Sequence, residues 1–286
     1  MRVTGFSLVA NAVRLDFPVV EALRSVLPLV DELIVNVGPS DDGTRDLVAS
    51  LADPRLTIIT GPWDRAAGSA MLATETQRAL DAATGDWAIY IQADEVLHEA
   101  GIPALRAAMH GALAEARVEA LLVDFVHHYG SPAWMGQGRA WYRREVRVVR
   151  RTSGLRSFRD AQGFRASPAD RRPRARRSGA TYHHYGWARP MPALEAKRQV
   201  DNQLYHGGAE ARAPVSAGLP RDVGLTPFRG SHPAVMQEWL AARAGRFNDR
   251  FLPQSWSRRR LALAASLGIE RLTGWRPFEY RNYVEV

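Results

Sequence analysis

Four apolar, β-prone runs alternate with helical stretches over the first hundred residues, and this alternation restricts the fold more than any other feature of the chain. Strands and helices that alternate at this spacing form βαβ units around a mainly parallel sheet. The sequence therefore predicts an α/β fold with a mainly parallel central sheet and flanking helices. The predicted strands are 3–10, 32–37, 56–60 and 86–92. One predicted helix begins at Pro18, and two others run from Thr44 to Leu51 and from Ala70 to Ala83.

The run 86–92 reads DWAIYIQ, which is typical of a strand buried on both faces. In parallel sheets, ligands bind beyond the carboxyl ends of the strands. Three segments follow such ends: Asn11, residues 38–44 and residues 93–99. We expect these segments to converge in space.

Beyond residue 100 the pattern continues and then becomes less regular. Short β-like pieces occur over 139–190, separated by an arginine-rich stretch, 165–178, that we predict as an exposed loop. Residues 207–232 are rich in glycine and proline, and we predict them as irregular. The remaining predictions are a strand over 119–126 and helices over 102–117, 192–206, 233–247 and 257–273.

The chain has no cysteine, which excludes a disulfide scaffold and any thiolate metal site. No apolar run reaches the ~18–20 residues that span a bilayer. The first residues become too polar after Ala10 for a signal peptide. We expect a cytoplasmic protein without a transmembrane segment, and peripheral contact with the inner membrane face stays open.

The basic residues are almost all arginine, since Lys197 is the only lysine. From Arg139 to Arg177 there are 14 arginines against three acids, Glu145, Asp160 and Asp170. This excess fits a surface for phosphates, nucleic acid or an anionic membrane. It also fits a solvated face in a protein that favours arginine over lysine, and charge alone does not decide between the two.

Three motifs carry candidate chemistry. A carboxylate at the tip of an apolar strand, as in Gln92-Ala93-Asp94-Glu95, is costly unless a cation lies against it, although Asp94 can also cap a helix. The loop 37–44 (VGPSDDGT) can bind a nucleoside or simply form a turn; it contains no P-loop, and no GxGxxG follows the first strand. Histidines occur at 127–128 and in Tyr182-His183-His184-Tyr185-Gly186-Trp187, where adjacent side chains of a strand point to opposite faces.

In this order the motifs resemble the family 2 glycosyltransferases, inverting enzymes of the GT-A fold. The resemblance lies in strand one ending at Asn11, SVLPLVDELIVNVGPSDDGT, GDWAIYIQADEVLHE and YHHYGW, and the C-terminal region (FRGSHPAVM, GWRPFEYRNYVEV) suggests a bacterial subgroup. It implies a hexosyltransferase that uses a nucleoside-diphosphate sugar, a divalent cation (Mn²⁺ or Mg²⁺), and a glycan, lipid-linked or small-molecule acceptor, with no nucleic acid partner. It also implies a GT-A catalytic domain over 1–190, with a nucleotide-binding half (1–100) and an acceptor half (101–190), and a mostly helical extension over 191–286.

Carried over to this sequence, the resemblance makes Asp94 and His184 the metal ligands and Asp41 the acid that binds the base or ribose. The full set of nucleotide-binding candidates is Ala10, Asn11, Asp41, Asp64, Arg78, Gln92 and Ala93. Gln92 stands where the family usually has the first Asp of its DxD motif, and an amide is a poorer ligand for Mg²⁺ or Mn²⁺. Arginines that neutralise the leaving diphosphate are therefore an alternative to the cation.

An inverting transfer needs a general base for the acceptor hydroxyl. Asp160 is the first candidate, Asp124 the second and Glu95 the third, although each can instead serve as an ion-pair partner or a buried structural acid. His232-Pro233 and the segment 275–278 are expected to anchor the C-terminal helices by packing, with an acceptor-side role as the alternative. The competing function is a non-catalytic protein that binds a nucleotide sugar or a polyanion.

Overall fold

A computed structural model describes residues 1–208 and 218–286 of the chain. Part of the stretch predicted as irregular, residues 209–217, lies outside the described residues. The α-helices are α1 Val19–Val26, α2 Thr44–Ala49, α3 Ala70–Asp81, α4 Ile102–Ala112, α5 Met191–His206, α6 Gln237–Ala241 and α7 Arg258–Thr273. The strands are β1 Val3–Val9, β2 Glu32–Val37, β3 Leu56–Ile59, β4 Trp87–Tyr90, β5 Glu95–Leu97, β6 Ala120–Tyr129, β7 Ser131–Gly136, β8 Arg144–Arg150, β9 Leu155–Phe158, β10 Gly163–Ala166, β11 Arg174–Trp187, β12 Leu219–Pro220, β13 Leu225–Pro227, β14 Phe251–Leu252 and β15 Val284–Glu285.

The first four strands form the parallel part of the sheet, in the order β4-β1-β2-β3. All seven residues of β1 and all four of β4 are buried, as is usual for strands of a parallel sheet that is covered on both faces. The helices between them lie on both faces: α1 packs into one hydrophobic cluster through Val19 and Leu23, and α3 packs into the other through Ala79 and Leu80. The predicted α/β fold, with a central sheet and flanking helices as in the GT-A fold, is confirmed.

Antiparallel pairings enter the sheet with β8, which lies between β4 and β6. The long strand β11 then pairs with β6 in parallel orientation, and β5 pairs with β11 in antiparallel orientation. These pairings bring the residues after β4 next to the histidines of β11. C-terminal segments also join the sheet, because β13 pairs with β7 and β15 pairs with β11. The predicted boundary between a catalytic domain (1–190) and a mostly helical extension (191–286) stays a prediction.

The prediction of an exposed loop over 165–178 is wrong at both ends. Residues 163–166 form β10, and β11 begins at Arg174, where Ala175 pairs with Ala120 of β6 and is fully buried. The small apolar side chains between the arginines of this stretch fill the core, which the high charge of the stretch conceals.

Two predicted helices, 102–117 and 233–247, are shorter in the structure by five residues or more, whereas those over 44–51 and 70–83 end two residues early. Helix α4 ends at Ala112, and the guanidinium of Arg150 binds the carbonyl oxygens of Leu113 and Glu115 at 3.2 Å, so a side chain from β8 satisfies these groups beyond the helix end. The stretch predicted as a helix over 233–247 contains one turn of 3₁₀-helix, Ala234–Met236, followed by the short α6. No helix within residues 1–208 and 218–286 is long and apolar enough to cross a bilayer.

Candidate functional site

The loops that follow β1 and β2 are joined by hydrogen bonds from backbone to side chain. The amide of Asn11 donates to Oγ of Ser40 at 2.9 Å, and the amide of Ala12 donates to Oγ1 of Thr44 at 2.7 Å. Asn11 itself has a positive φ of 53°, which turns the chain sharply after β1. Because β4 neighbours β1 in the sheet, residues 93–95 emerge at the same edge. The convergence expected from the strand order is therefore present.

Asp94 is buried at this edge and is surrounded by basic side chains. Its Oδ2 lies 2.8 Å from Nη2 of Arg189, 3.6 Å from Nζ of Lys197 and 3.7 Å from Nε2 of His184. Burial alone would raise the pKa of this carboxyl, but Lys197, His184 and Arg189 together hold the pKa of Asp94 well below its usual range. Asp94 is therefore a carboxylate in this structure, and the two flexible partners, Lys197 and His184, keep some solvent access.

Gly186 explains part of the motif Tyr185-Gly186-Trp187. A Cβ on this residue would lie 2.3 Å from Nε2 of His184 and 3.0 Å from Oδ2 of Asp94. A side chain at position 186 would thus occupy the space between the histidine and the acid. The glycine is needed for close approach and not for its backbone angle, since no positive φ is found there.

The four histidines of β6 and β11 form two pairs on opposite faces. His127 and His184 pair through their Nδ1 atoms at 3.0 Å on the face of Asp94, and burial together with His184 lowers the pKa of His127 well below its ordinary value. His128 and His183 pair at 3.0 Å on the other face. The alternation of side chains along a strand therefore places only one histidine of each adjacent pair at the Asp94 site.

Glu95 belongs to a different environment from Asp94. It is fully buried and binds the equally buried Arg147 through both carboxylate oxygens, at 2.7 and 2.9 Å. The guanidinium of Arg147 also lies over the rings of Tyr90 and Phe125. This arrangement favours a structural role for Glu95, the third candidate for the general base.

Gln92 connects the acidic motif to the segment that carries Asp160. Its amide nitrogen lies 3.3 Å from the carbonyl oxygen of Ala161 and 3.3 Å from the hydroxyl of Tyr90. The neighbouring Ala93 is buried in the core under β4. The side-chain amide of Gln92 is thus engaged in hydrogen bonds within the protein.

Asp160 lies in a strained turn at the rim of a cleft. The residues on either side, Arg159 and Ala161, have positive φ values of 55° and 63°, which cost energy for residues other than glycine and are often found at functional positions. The hydroxyl of Tyr205 donates to Oδ2 of Asp160 at 3.0 Å. The cleft has a volume of about 560 Å³ and is lined by Ser69, Ala70, Arg159, Asp160 and Gln162.

Asp124, the other candidate base on the acceptor side, has a different setting. It forms an ion pair with Arg144 of the adjacent strand β8 at 2.7 Å. In β6, Phe125 and His127 lie on the face of Asp94, because alternate residues of a strand share a face. Asp124 precedes Phe125 and therefore points to the opposite face. The structure therefore does not bring Asp124 to the site.

The remaining nucleotide candidates surround the loop after β2. Asp41 is exposed and pairs with Arg14 at 2.5 Å, so it is accessible to a ligand. Trp63 lies flat against Gly38, where a Cβ would be 2.5 Å from the ring, and the next residue, Asp64, caps a short helix. Arg78 is held by Glu75 at 3.1 Å. Ala10, at the end of β1, is partly buried and packs beside this group.

Sequence reasoning missed two residues of the site. Arg189 belongs to none of the sequence motifs, and Lys197 is distinguished in the sequence only as the single lysine. Both lie beyond β11, about a hundred positions from Asp94, so no local pattern joins them to it. The one signal in the sequence is that Lys197 is the single lysine of an arginine-rich chain. A lysine ammonium is a compact point charge, which distinguishes it from an arginine guanidinium.

The arginines of 139–177 are largely engaged inside the protein. Several of them bind carboxylates of other elements; the pairs are Arg143–Glu279, Arg144–Asp124, Arg147–Glu95, Arg171–Glu119, Arg174–Glu119, Arg176–Glu115 and Arg177–Glu285. Many of the acids come from outside the stretch, which is why the stretch itself looks unbalanced. These pairs weaken the interpretation of the stretch as a polyanion-binding surface.

Comparisons with known proteins agree with this fold. Residues 18–159, just under half of the chain, match the family model described as Glycosyl transferase family 2. A search of curated proteins gives no match. Among solved structures, S. aureus TarS is similar at 18% identity with a TM-score of 0.35, covering 44% of this chain and 22% of that one.

Two further solved structures show similar values. Glucosyl-3-phosphoglycerate synthase from Mycobacterium tuberculosis, in complex with Mn²⁺, UDP and phosphoglyceric acid, has 19% identity and a TM-score of 0.32, covering 44% of this chain and 43% of that one. S. aureus TarS 1–349 in complex with UDP-GlcNAc has 15% identity and a TM-score of 0.38, covering 54% and 46%. This chain spans less than half of each of these structures, so their activities and ligands are taken up only as proposals. Residues 18–159 of this chain are therefore similar to the family described as Glycosyl transferase family 2.

Proposed function

We propose that this protein is a glycosyltransferase that moves a sugar, of hexose type, from a nucleoside-diphosphate sugar to an acceptor hydroxyl with inversion. The observation that carries the proposal is the buried Asp94, which lies at the edge where the loops after β1 and β2 meet and is surrounded by Arg189, Lys197 and His184. A site that gathers these charges beside a nucleotide-type loop suits a diphosphate leaving group.

In this proposal the exposed Asp41 and the loop 38–44 bind the nucleoside, because carboxylates accept hydrogen bonds from base N–H and ribose hydroxyl groups. Lys197 and His184 are the partners of Asp94 that can reach a bound diphosphate. Arg189 is fully buried and binds both Asp94 and the carbonyl oxygen of Leu15, at 2.8 and 2.7 Å. It therefore positions Asp94 and the loop after β1 and has no direct path to the ligand.

The donor atoms at Asp94 are compatible with a divalent cation. A carboxylate oxygen and an imidazole nitrogen 3.7 Å apart can both reach one cation after a small rotation, since ligands at ~2.1 Å from Mg²⁺ stand about 3 Å apart in octahedral geometry. Asp94 and His184 would hold it, and it would neutralise charge on the leaving diphosphate. The engagement of Gln92 with Tyr90 and Ala161 leaves few protein ligands, so Lys197 is proposed to share this neutralising role.

Asp160 is the proposed general base. It takes the proton of the acceptor hydroxyl as that oxygen bonds to the anomeric carbon, while the bond from that carbon to the diphosphate oxygen breaks and the nucleoside diphosphate leaves. The cleft beside Asp160 is open, and Ser69, Arg159 and Gln162 line it and are able to bind an acceptor. The tether between Gln92 and Ala161 holds this turn close to the acidic motif.

The acceptor class and the location of the protein also stay proposals. Arg159 at the cleft suits an acceptor with a phosphate or other acidic group, such as a lipid-linked or phosphorylated sugar. Peripheral contact with a membrane is proposed for the exposed aromatic residues Trp256, Trp275 and Phe278, which lie near α7 and its arginines. Sedimentation with anionic and neutral vesicles tests this contact.

The test of the function is a thermal-shift screen with UDP, GDP, CDP and dTDP, each with and without Mn²⁺. We expect one nucleotide to raise the Tm, and Asp94→Asn to remove that effect while the exposed-surface control Asp249→Asn keeps it. The stabilising nucleotide then selects the sugar donors for assays of nucleoside-diphosphate release over an acceptor panel. Absence of any nucleotide effect on the unsubstituted protein would contradict the proposal.

A further inference from the structure

The face of β6 and β11 that points away from Asp94 carries a second group of histidines. His128 and His183 lie there side by side, and His232 reaches them from the segment that follows β13. One ring nitrogen of each histidine lies within 4.8 Å of one ring nitrogen of the other two. We propose that these three histidines bind a zinc ion, at a site separate from the nucleotide site.

The distances suit a tetrahedral ion. Two imidazole nitrogens that bind zinc at ~2.05 Å in tetrahedral geometry stand about 3.3 Å apart. Nε2 of His128 and Nδ1 of His183 are 3.0 Å apart, so a few tenths of an ångström convert their hydrogen bond into two metal bonds. The ring nitrogens lie within 4.8 Å of one another, so His232 must approach the other two by up to about 1.5 Å, and its position in a segment outside helices and strands permits this shift.

The ligand type selects the metal. Three imidazole nitrogens form a ligand set that suits zinc, whereas Mg²⁺ and Mn²⁺ prefer sites that supply oxygen ligands. His128 and His183 are both buried, and burial favours the neutral ring, which offers a lone pair to a metal. The triad therefore differs in chemistry from the Asp94 site, where a carboxylate is the main ligand.

The surroundings orient the ring of His232 for metal binding. Nδ1 of His232 lies 2.9 Å from the hydroxyl of Tyr185, and a hydrogen bond from Nδ1–H to that oxygen leaves the lone pair on Nε2 free. Histidines that bind zinc usually donate a hydrogen bond from their second ring nitrogen in this way. Three protein ligands would leave a fourth coordination position of the zinc ion for water. His98 lies next to the three histidines, with its ring centroid 5.4 Å from that of His183.

The proposed ion has a structural consequence. His128 and His183 belong to the central sheet, whereas His232 belongs to the C-terminal part of the chain and is followed by Pro233 and the turn Ala234–Met236. A shared zinc ion would fix this segment to the sheet beyond the contact that Phe228 makes with the two strand histidines. The C-terminal segment would then stay in place when the opposite face binds a nucleotide.

The experiment uses the full chain, treated with EDTA, incubated with ZnSO₄ and desalted before metal analysis. We expect about one zinc per chain at saturation, a rise in Tm with zinc, and visible absorption typical of tetrahedral coordination when CoCl₂ replaces zinc. His232→Ala should lose most of the bound zinc and the cobalt absorption, whereas His110→Ala, a substitution of an exposed histidine in α4, should keep both. His128→Ala removes a fully buried ring and so changes folding as well as metal binding, whereas the half-buried His232 provides the decisive variant.

Two results would overturn the proposal: no retained zinc in the unsubstituted protein, or equal zinc retention in His232→Ala and His110→Ala. The Asp94→Asn variant distinguishes the two sites, since it should keep its zinc while it loses the nucleotide effect. A protein that binds zinc through the triad and no nucleotide would refute the proposed function and leave this inference intact.

Discussion

Nζ of Lys197 lies 3.6 Å from Oδ2 of Asp94, so the only lysine of the chain contacts the acid that follows the buried strand β4. Arg189 contacts the same oxygen from the buried side. The lysine can move toward a ligand because its long side chain keeps some solvent access, whereas Arg189 is enclosed. Lys197 is therefore the cation of this site that can be tested separately from the stability of the fold.

We expect Lys197→Met to weaken binding of the stabilising nucleoside diphosphate about tenfold in metal-free buffer, since a charge-assisted hydrogen bond is lost. Added Mn²⁺ should recover most of the affinity, because Asp94 no longer has a competing ammonium group. Calorimetric titration with and without Mn²⁺ measures both effects. Arg24→Met, on the exposed side of α1, is the control, and equal affinities for the two variants would contradict a role for Lys197.

Gly186→Ala should separate His184 from Asp94, because the added Cβ would lie 2.3 Å from Nε2 of His184. The expected result is a large loss of transfer activity and of the Mn²⁺-dependent part of nucleotide binding. Gly111→Ala in α4 is the matched control: no heavy atom lies within 4 Å of the new Cβ there, and alanine favours the helix. If Gly186→Ala retained full activity, the contact between His184 and Asp94 would have no functional importance.

Asp160→Asn should lower kcat by about 10²- to 10⁴-fold with little change in KM for the donor, as expected for loss of a general base. Asp124→Asn should retain most activity, because Asp124 points away from the site and pairs with Arg144. Steady-state kinetics of nucleoside-diphosphate release distinguish the two. The opposite order of effects would assign the base to Asp124.

Glu95→Gln should destabilise the protein by about 3–5 kcal/mol, because Arg147 would keep a buried charge without its partner. The double variant Glu95→Gln, Arg147→Met should recover much of this loss, since both charges are then removed. Urea unfolding of the three proteins gives the comparison. A stable but inactive Glu95→Gln protein would instead support a catalytic role for Glu95.

Glu119 provides a test of the arginine pairs through pH. Burial would raise the pKa of Glu119. Hydrogen bonds from the Arg171 side chain and the Arg174 amide, together with the positive charges of both arginines, instead lower this pKa to about 2. A carboxyl with a lowered pKa stabilises the fold above its unfolded value of about 4.3, and this contribution disappears as the pH falls from there toward 2. Because both arginines are about half exposed, we expect Glu119→Gln to cost only about 1–2 kcal/mol at pH 7.

The measurement is the free energy of unfolding in urea at pH 7, 5 and 3. The difference between Glu119→Gln and the unsubstituted protein should be constant from pH 7 to 5 and should shrink at pH 3. Asp249→Asn, which removes an exposed carboxylate, should show no such trend. A difference that stays constant down to pH 3 would mean that the ion pairs of Glu119 do not stabilise the fold.

The sequence predicted the first half of the fold well because burial there follows a local pattern. The run DWAIYIQ is almost wholly apolar, and β4 within it is buried along its full length. The stretch 165–178 was predicted wrongly since its arginines conceal the small buried residues between them, and their partners, such as Glu115 and Glu119, lie 50 or more residues away. Charge balance over a stretch therefore gave no guide to its exposure.

By itself the sequence determined the alternation of strands and helices, the buried strand before Asp94, and the fact that adjacent histidines of one strand face opposite ways. Each of these follows from the period of a strand or helix, which neighbouring residues define. Only the tertiary structure decided which groups meet Asp94 and which histidines gather on the far face. Those contacts join residues such as Arg189 and Asp94, 95 positions apart, and depend on the register between β5, β6 and β11, which no local pattern specifies.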